Sequence, residues 1–319
     1  MKILITGASG FVGGHLVKRC LADGLAVSTI TRSGSRCNPH VLLNYPTRGF
    51  EFVDDFSKVL CGQDVVVHCA ARVHVMNEQA ANPLEEFRRS NVQGTVELAR
   101  QAADAGVKRF IYLSSVKING EETFNGARFT AKALANPLDP YAISKCEAEI
   151  ALRRLSYSSG LEVVIVRPPL VYGAKVQGNF KTLISAVHRG IPLPFAAVHN
   201  KRSLVTVDNL FDLLMCCAVH PAAANHTLMV SDDDDISTPA LLRQVGFLIG
   251  KPARLFAAPS ILLRGAAALI GHSAAVRRLT SSLQVDVSET RQLLNWTPCV
   301  TVTQGLMKAI EGYLVEKSF

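Results

Sequence analysis

The chain has 319 residues, of which 48% are hydrophobic and 19% charged, and its formal net charge is +8. That composition belongs to a soluble globular protein with a sizeable core, and no apolar run reaches the ~20 residues that span a bilayer. The basic residues are scattered without a block, which argues against nucleic acid and for an anionic small substrate, and 8 cysteines without a C-x-x-C pair point to a reducing cytoplasm, without disulfides or a metal site.

Residues 1–17, MKILITGASGFVGGHLV, read as a strand, a glycine-rich turn and a helix start. Ile3, Leu4 and Ile5 suit a parallel strand covered on both faces. Gly7, Gly10 and Gly13 follow in the spacing G-x-x-G-x-x-G. Gly7 permits a tight turn, Gly10 lets a pyrophosphate approach the backbone, and Gly13 brings helix and sheet together. The helix N-terminus then offers unpaired N–H groups to the phosphates. A second strand spans 26–31, AVSTIT. In dinucleotide folds a carboxylate near this point binds the ribose of NAD, whereas an Arg accommodates the extra phosphate of NADP. Here Thr31 is followed by Arg32, Ser33, Ser35 and Arg36, so NADP(H) is favoured, with NAD(H) as the alternative.

A third strand is predicted at 50–53, ending in Asp54 and Asp55; Asp54 either bonds the adenine amino group or caps the next helix. The strand at 64–68 runs into Cys69, Ala70 and Ala71, small residues against which a cofactor can lie. The polar stretch 72–78 follows at the cleft mouth, where His74 is either a surface residue or a substrate contact. A helix is predicted from Asn91 to the stop at Gly106, a fifth strand at 109–113 ending at Ser114 and Ser115, and a helix at 140–152 carrying Tyr141 and Lys145. The sixth strand, 162–166, ends in Arg167, Pro168 and Pro169. One short helix is predicted within 173–204, a strand and a helix within 204–220, and a strand at 227–230. The acidic run 232–235 reads as a solvated turn before a helix at Thr238, and the apolar segment 261–270 as a packed helix.

This alternation predicts an α/β fold: a Rossmann-type doubly wound parallel sheet with a smaller, helix-rich C-terminal lobe. The dinucleotide-binding part is assigned to 1–171 with 203–230, and the substrate lobe to 172–202 with 231–319.

Tyr141 and Lys145 are four apart, hence on one face of a helix. An ammonium beside a phenol that ordinarily ionises near ~10 pulls it toward neutrality, where it can give or take a proton. A hydroxyl from Ser115, at a strand end, can polarise the same substrate oxygen.

With these residues in place the chain resembles the extended short-chain dehydrogenase/reductase family of nucleotide-sugar epimerases, dehydratases and reductases. The matching segments are GASGFVG at 7–13, HCAA at 68–71, NVQGT at 91–95, YLSSVKING at 112–120, YAISK at 141–145, RPPLVYG at 167–173 and RSLVTVDNL at 202–210. The resemblance implies Ser115, Tyr141 and Lys145 as the catalytic trio. It implies a cofactor site of Gly7, Gly10, Phe11, Val12, Gly13, Thr31, Arg32, Asp54, Cys69, Ala70, Ala71, Asn91 and Pro168 besides Tyr141 and Lys145. Arg202 becomes a candidate for the substrate diphosphate, Asn179 for the diphosphate or the uridine side, and Arg277 and Arg278 for either a second phosphate clamp or plain surface residues, with Arg72 and Lys117 as further substrate contacts. The dehydratases carry an Asp-Glu pair just after the strand-end hydroxyl; Val116 and Lys117 stand there, so elimination of water is not expected. The run AARVHVMNE with VKING most resembles a bacterial O-antigen branch. By that resemblance the expected activity is reduction of UDP-4-keto-6-deoxy-N-acetylglucosamine to UDP-N-acetylquinovosamine, with a UDP-glucose or UDP-N-acetylglucosamine 4-epimerase as the alternative. A homodimer is expected from the same resemblance.

Overall fold

The computed structural model describes residues 1–33, 38–52, 54–73, 82–259, 263 and 273–317. Seven parallel strands form the main sheet: β1 (Lys2–Thr6), β2 (Ala26–Arg32), β3 (Leu43–Thr47), β4 (Val65–His68), β5 (Arg109–Leu113), β6 (Glu162–Arg167) and β9 (Thr227–Met229). Their order is β3-β2-β1-β4-β5-β6-β9, so the connections reverse direction at β1 and β4. That reversal opens a crevice at the carboxyl ends of the strands. Two short strands, β7 (Leu170–Tyr172) and β8 (Leu204–Thr206), pair in parallel beside it.

Alternation along each strand supplies two cores. Ile3, Ile5, Val65, Val67, Ile111, Val164 and Val166 face one layer, with Leu16 and Val17 of α1 (Phe11–Ala22) and Leu210, Leu214 and Cys217 of α7 (Val207–Val219). Leu4, Val66, Phe110, Tyr112, Val163 and Ile165 face the other, with Leu98, Ala99 and Ala102 of α4 (Gly94–Asp104) and Ala148 and Leu152 of α5 (Pro140–Ser159). Burial on both faces is why these strands read as unbroken apolar runs. A third cluster joins Tyr172 to α6 (Gly178–His188), α8 (Thr238–Ile249) and α11 (Val302–Lys317), through Phe180, Leu242 and Leu306. Of the remaining helices, α2 (Ser57–Leu60) and α3 (Pro83–Arg88) flank the sheet, and α9 (Ser273–Thr280) and α10 (Ser288–Leu294) lie in the C-terminal part. Leu294 and Trp296 return to pack in the first core.

Two predicted elements fall elsewhere. The third strand is 43–47, not 50–53; its Pro46 is tolerated because β3 lies at the sheet edge. The acidic run does lead into α8, but only Asp233 and Asp234 are exposed. Asp232 is buried and accepts bonds from the Tyr172 hydroxyl (2.8 Å), the Thr206 N–H (2.8 Å) and Asn209 Nδ2 (2.7 Å). Burial pushes its carboxyl up to about 6. Asp235 accepts from Ser203 and Gln284 and pairs with Arg128.

Among the described residues no helix is long and apolar enough to cross a membrane. Ser35, Arg36, His74 and the segment 261–270 apart from Leu263 lie outside the described residues.

Candidate active site

The turn after β1 is built so that only glycine fits. Gly7 takes φ +69°, and a Cβ there would stand 2.8 Å from the Ala70 nitrogen. A Cβ on Gly13 would stand 2.3 Å from the Gly7 carbonyl oxygen. Gly10 caps α1 without a side chain, so the N–H groups of Phe11, Val12 and Gly13 end the helix open toward the crevice. Such an N-terminus, approachable because three side chains are absent, fits a dinucleotide pyrophosphate.

A cavity of about 690 Å³ runs from this cradle along the strand ends. Of the residues predicted for the cofactor, Gly7, Gly10, Phe11, Val12, Gly13, Thr31, Arg32, Cys69, Ala70, Ala71, Tyr141, Lys145 and Pro168 line it. Two do not. Asp54 accepts from the Thr47 hydroxyl and opens onto a separate surface hollow, so Gly49, Phe50 and Glu51 form the wall near β2. Asn91 is buried behind the wall: its Oδ1 accepts from the Arg72 N–H at 2.7 Å, and its Nδ2 donates to the Arg72 carbonyl and to Ser144. It shapes the loop after β4 from beneath. Sequence reading also missed Ser9, Glu86, Ser90 and Ser114 on the wall; Ser9 and Ser114 lie within GASGFVG and YLSSVKING, which could have pointed to them, whereas Glu86 lies in no such segment.

His68 anchors the floor. Its Nδ1 lies 2.8 Å from the Thr6 hydroxyl and its Nε2 3.0 Å from the Thr95 hydroxyl, and its ring stacks on Tyr112. Burial first, then the Lys145 charge, lowers its pKa to about 3, so it is held neutral. The Thr6 hydroxyl in turn accepts from the Ala70 N–H at 3.1 Å, which fixes the small-residue wall.

At the far end stand Ser115, Tyr141 and Lys145. Ser115 caps a turn at Val116–Ile118, its Oγ accepting from the Lys117 N–H. Asp139 caps α5 through the Ala142 N–H at 2.7 Å and Pro140 opens the helix, which sets Tyr141 in the first turn. Lys145 is buried; its Nζ donates to the Leu113 carbonyl at 2.8 Å and lies 4.5 Å from the Tyr112 ring centre and 5.9 Å from that of Tyr141.

The expected pull of Lys145 on the phenol does not prevail in this arrangement. Tyr141 is raised well above its ordinary value, by burial and then by the Asp139 charge. Burial lowers Lys145 to about 8, outweighing the Glu149 charge that acts the other way. Desolvation outweighs the ammonium because the ammonium is spent on a carbonyl and on the Tyr112 face.

One turn beyond Lys145, Glu149 is buried and bound by Arg167 Nη2 (2.6 Å) and Nε (2.9 Å), by Ser114 Oγ (2.7 Å) and by Arg153 Nη2 (2.8 Å). This ties the ends of β5 and β6 to α5. The four-residue spacing Tyr141, Lys145, Glu149 is the signal that could have revealed it.

A second cavity, about 480 Å³, adjoins the first, and Ser115 and Tyr141 line both. Lys117, Asn179 and Arg202 line its wall as predicted, amid apolar residues such as Leu170, Phe180, Ile236 and Leu283. Arg202 Nη1 donates to the Ser281 carbonyl at 3.1 Å, and burial plus the nearby Arg278 charge lowers it to about 10. Arg277 pairs instead with Glu121, and its neighbour Arg278 takes the wall. Arg72 lines the first cavity rather than the second, its guanidinium 5.6 Å from the Phe87 ring centre. Among the described residues no group of three or more His, Cys, Asp or Glu is arranged to hold a metal ion.

A doubly wound sheet with a glycine cradle at its reversal point and a Tyr/Lys helix across the crevice defines a Rossmann-like α/β protein of the dehydrogenase/reductase type. The chain belongs to the NAD dependent epimerase/dehydratase family, whose model matches residues 3–230. It is 42% identical over 315 residues to a UDP-glucose 4-epimerase of Vibrio cholerae, covering 98% of this chain and 95% of that one. It is 26% identical over 246 residues to the N-acetyl-alpha-D-glucosaminyl-diphospho-ditrans,octacis-undecaprenol 4-epimerase of Escherichia coli O157:H7, covering 76% and 71%. The fold is also that of the Thermotoga maritima UDP-glucose 4-epimerase solved with UDP-glucose, at a TM-score of 0.80 with 20% identity over 99% of this chain and 100% of that one. A Bacillus cereus UDP-glucuronic acid 4-epimerase solved with NAD superposes at a TM-score of 0.78 with 19% identity over 99% of both chains.

Proposed function

We propose that this chain is a 4-epimerase of a UDP-sugar that works with a resident NAD. The observation that carries the reading is the shared wall: Ser115 and Tyr141 stand between a glycine-cradled cavity and a second cavity bearing Arg202 and Arg278. The 42% identity to a UDP-glucose 4-epimerase over nearly the whole chain favours epimerisation over the reduction expected from the sequence.

In this reading the α1 N-terminus and Gly7, Gly10 and Gly13 hold the cofactor pyrophosphate, and Cys69, Ala70 and Ala71 give it a flat wall. The dinucleotide, when bound, supplies the site that accepts and returns hydride at the sugar C4, and a positive charge when oxidised. Tyr141 takes the proton of the 4-hydroxyl and gives it back after the sugar has turned. Ser115 donates to the same oxygen, and Lys145 supports the phenolate and the cofactor ribose. Arg202 and Arg278 grip the substrate diphosphate in a partly desolvated pocket, with Asn179 beside them. The residues divide accordingly, 1–171 with 203–230 for the dinucleotide and 172–202 with 231–319 for the substrate. A cytoplasmic place in surface-polysaccharide synthesis and a homodimer belong to the same proposal; for the dimer alone, the exposed Ile150 and Tyr157 on α5 offer apolar surface.

A second reading, a 4-keto reductase using NADPH, is favoured by Arg32. It is exposed at the end of β2, on the cavity wall, with no carboxylate at residues 31–33. The test offers purified protein UDP-glucose or UDP-N-acetylglucosamine and follows the anomeric protons by NMR without added cofactor. Appearance of the 4-epimer is expected. No epimer, together with NADPH consumption on a 4-keto-6-deoxy UDP-sugar, would transfer the assignment to the reductase.

A further inference from the structure

The C-terminal lobe carries charge of one sign along two long stretches. No Asp or Glu occurs in residues 163–207 or 236–285, although both hold several lysines and arginines. These stretches supply α6, α8 and the extended runs that follow each helix. The two runs pair. The Leu193 N–H donates to the Arg254 carbonyl at 2.8 Å, and the Phe256 N–H to the Leu193 carbonyl at 3.1 Å. Lys251 Nζ reaches the His188 carbonyl at 3.4 Å, and a Cβ on Gly190 would stand 3.9 Å from Arg254 Nε. The C-terminal ends of both helices therefore meet at one corner of the lobe.

Arg189, Lys251 and Arg254 are exposed at that corner. Along α8, Arg243 and Phe247 precede Lys251 at spacings of four, which puts all three on one helix side. Apolar side chains stand among the cations: Phe247 is 82% exposed, Phe256 50% and Ile191 41%. Large apolar groups gathered in water within a basic rim mark an interaction surface. Among the described residues none of the four cations pairs with a carboxylate, and Lys251 alone of them makes a side-chain hydrogen bond, the one to His188. On the neighbouring α11, Glu316 is held by Lys181, and Glu311 pairs with none of the four.

We propose that this corner is a docking face for a bilayer bearing anionic lipids: the cations meet the headgroup phosphates, and Phe247, Phe256 and Ile191 enter the boundary between headgroups and acyl chains. The inference stands apart from the activity proposed for the active site.

Both halves of the surface find a partner in such a bilayer, since cations are drawn to anionic headgroups and exposed aliphatic and aromatic groups leave water at the interface. Single-stranded nucleic acid would engage the cations and stack on the rings, yet it offers Ile191 nothing. A second copy presenting the same face would set like charges against each other. The corner also lies away from the chemistry. The substrate cavity takes Asn179, Phe180, Thr182 and Leu183 from the first turns of α6, and Thr238 and Leu241 from the start of α8. The 11 residues of α6 put about 16 Å between those first turns and the corner. Docking at the helix ends therefore leaves the cavity walls untouched.

The test is co-sedimentation of the full-length protein with vesicles of phosphatidylglycerol and phosphatidylcholine in equal parts, against phosphatidylcholine alone. Binding is expected to the anionic vesicles only, and to weaken as salt rises from ~0.05 to ~0.5 M. A Lys or Arg at an anionic surface strengthens binding about fivefold, so Arg243→Gln with Arg254→Gln should weaken it roughly 25-fold. Phe247→Ser should weaken it about tenfold through lost apolar burial. Lys18→Gln with Lys58→Gln removes the same charge from exposed sites on α1 and α2, and should leave binding nearly unchanged. Circular dichroism confirms that each variant is folded. No binding by the wild type overturns the proposal. So does an equal loss in the Lys18/Lys58 variant, which marks diffuse attraction by net charge, or an unchanged affinity in Phe247→Ser. Tighter binding to a single-stranded RNA oligomer than to the anionic vesicles would overturn it in favour of nucleic acid.

Discussion

Replacing Glu149 by Gln tests whether the ends of β5 and β6 are held to the catalytic helix by one buried charge. Its side chain is 1% exposed and that of its main partner, Arg167, 6%. Gln keeps the shape and one acceptor oxygen but removes the charge, and its amide NH2 must face groups that donate to the carboxylate, so the buried Arg167 guanidinium keeps the Asn119 side chain (3.2 Å) and the Ala131 carbonyl (3.3 Å) but no counter-charge. Breaking such a pair costs about 3–5 kcal/mol, a large part of the ~5–15 kcal/mol that stabilises a folded domain. Arg153, whose side chain is 47% exposed, also binds Glu149, but Arg153→Met is expected to cost under ~1 kcal/mol because solvent screens it. Glu149→Leu with Arg167→Met removes both charges and is expected to recover most of the loss. Urea denaturation followed by circular dichroism reads all four proteins. The Glu149→Gln variant is also expected to lower Lys145 further below its ordinary range, because the Glu149 charge helps hold it up. A loss under ~1 kcal/mol for Glu149→Gln, or a double variant that loses as much as Glu149→Gln does, would refute the reasoning.

Other consequences follow from the same structure. Gly13→Ala puts a methyl 2.3 Å from the Gly7 carbonyl, so the cradle must shift. At about 1–3 kcal/mol for overpacking, NAD binding by fluorescence titration should weaken roughly tenfold to hundredfold while the fold persists. Arg202→Met should weaken UDP binding about tenfold or more by calorimetry, because a pocket Arg loses its bidentate role. His68 is neutral in the fold at a pKa of about 3 against 6.5 when unfolded, so the unfolded chain binds the extra proton between those values. Its contribution is present above the unfolded value and is lost as pH falls, by about 2 kcal/mol near pH ~5. His68→Gln should be less stable at neutral pH yet lose less of its stability between pH ~6.5 and ~5; parallel curves for the two proteins would contradict this.

What the sequence made legible follows from where the physics is local. The glycine cradle, the buried strands and the Tyr/Lys helix are written in contiguous residues, and the structure sets β1, β4, β5, β6 and α5 within a residue or two of expectation, apart from the longer end of α5. What was misread depends on partners far along the chain. The place of β3 at 43–47 follows from its pairing with β2 at the sheet edge, which tolerates Pro46. Asp232 looks solvated until Tyr172 and Asn209 arrive from 60 and 23 residues away. Asn91 and Asp54 carry the right chemistry for a cofactor but are taken by Arg72 and Thr47. Arg277 and Arg278 cannot be ranked from sequence, since the ~100° rotation between neighbouring helix residues decides which meets Glu121 and which meets the cavity.

The central claim is that the Tyr141 phenol on the wall between the two cavities moves the substrate proton. The most direct measurement compares wild type and Tyr141→Phe in converting UDP-glucose to its 4-epimer, alongside NAD content of the purified proteins. The account predicts a loss of kcat of about 10²–10⁴-fold with NAD content unchanged. A variant that turns over at the wild-type rate would contradict it.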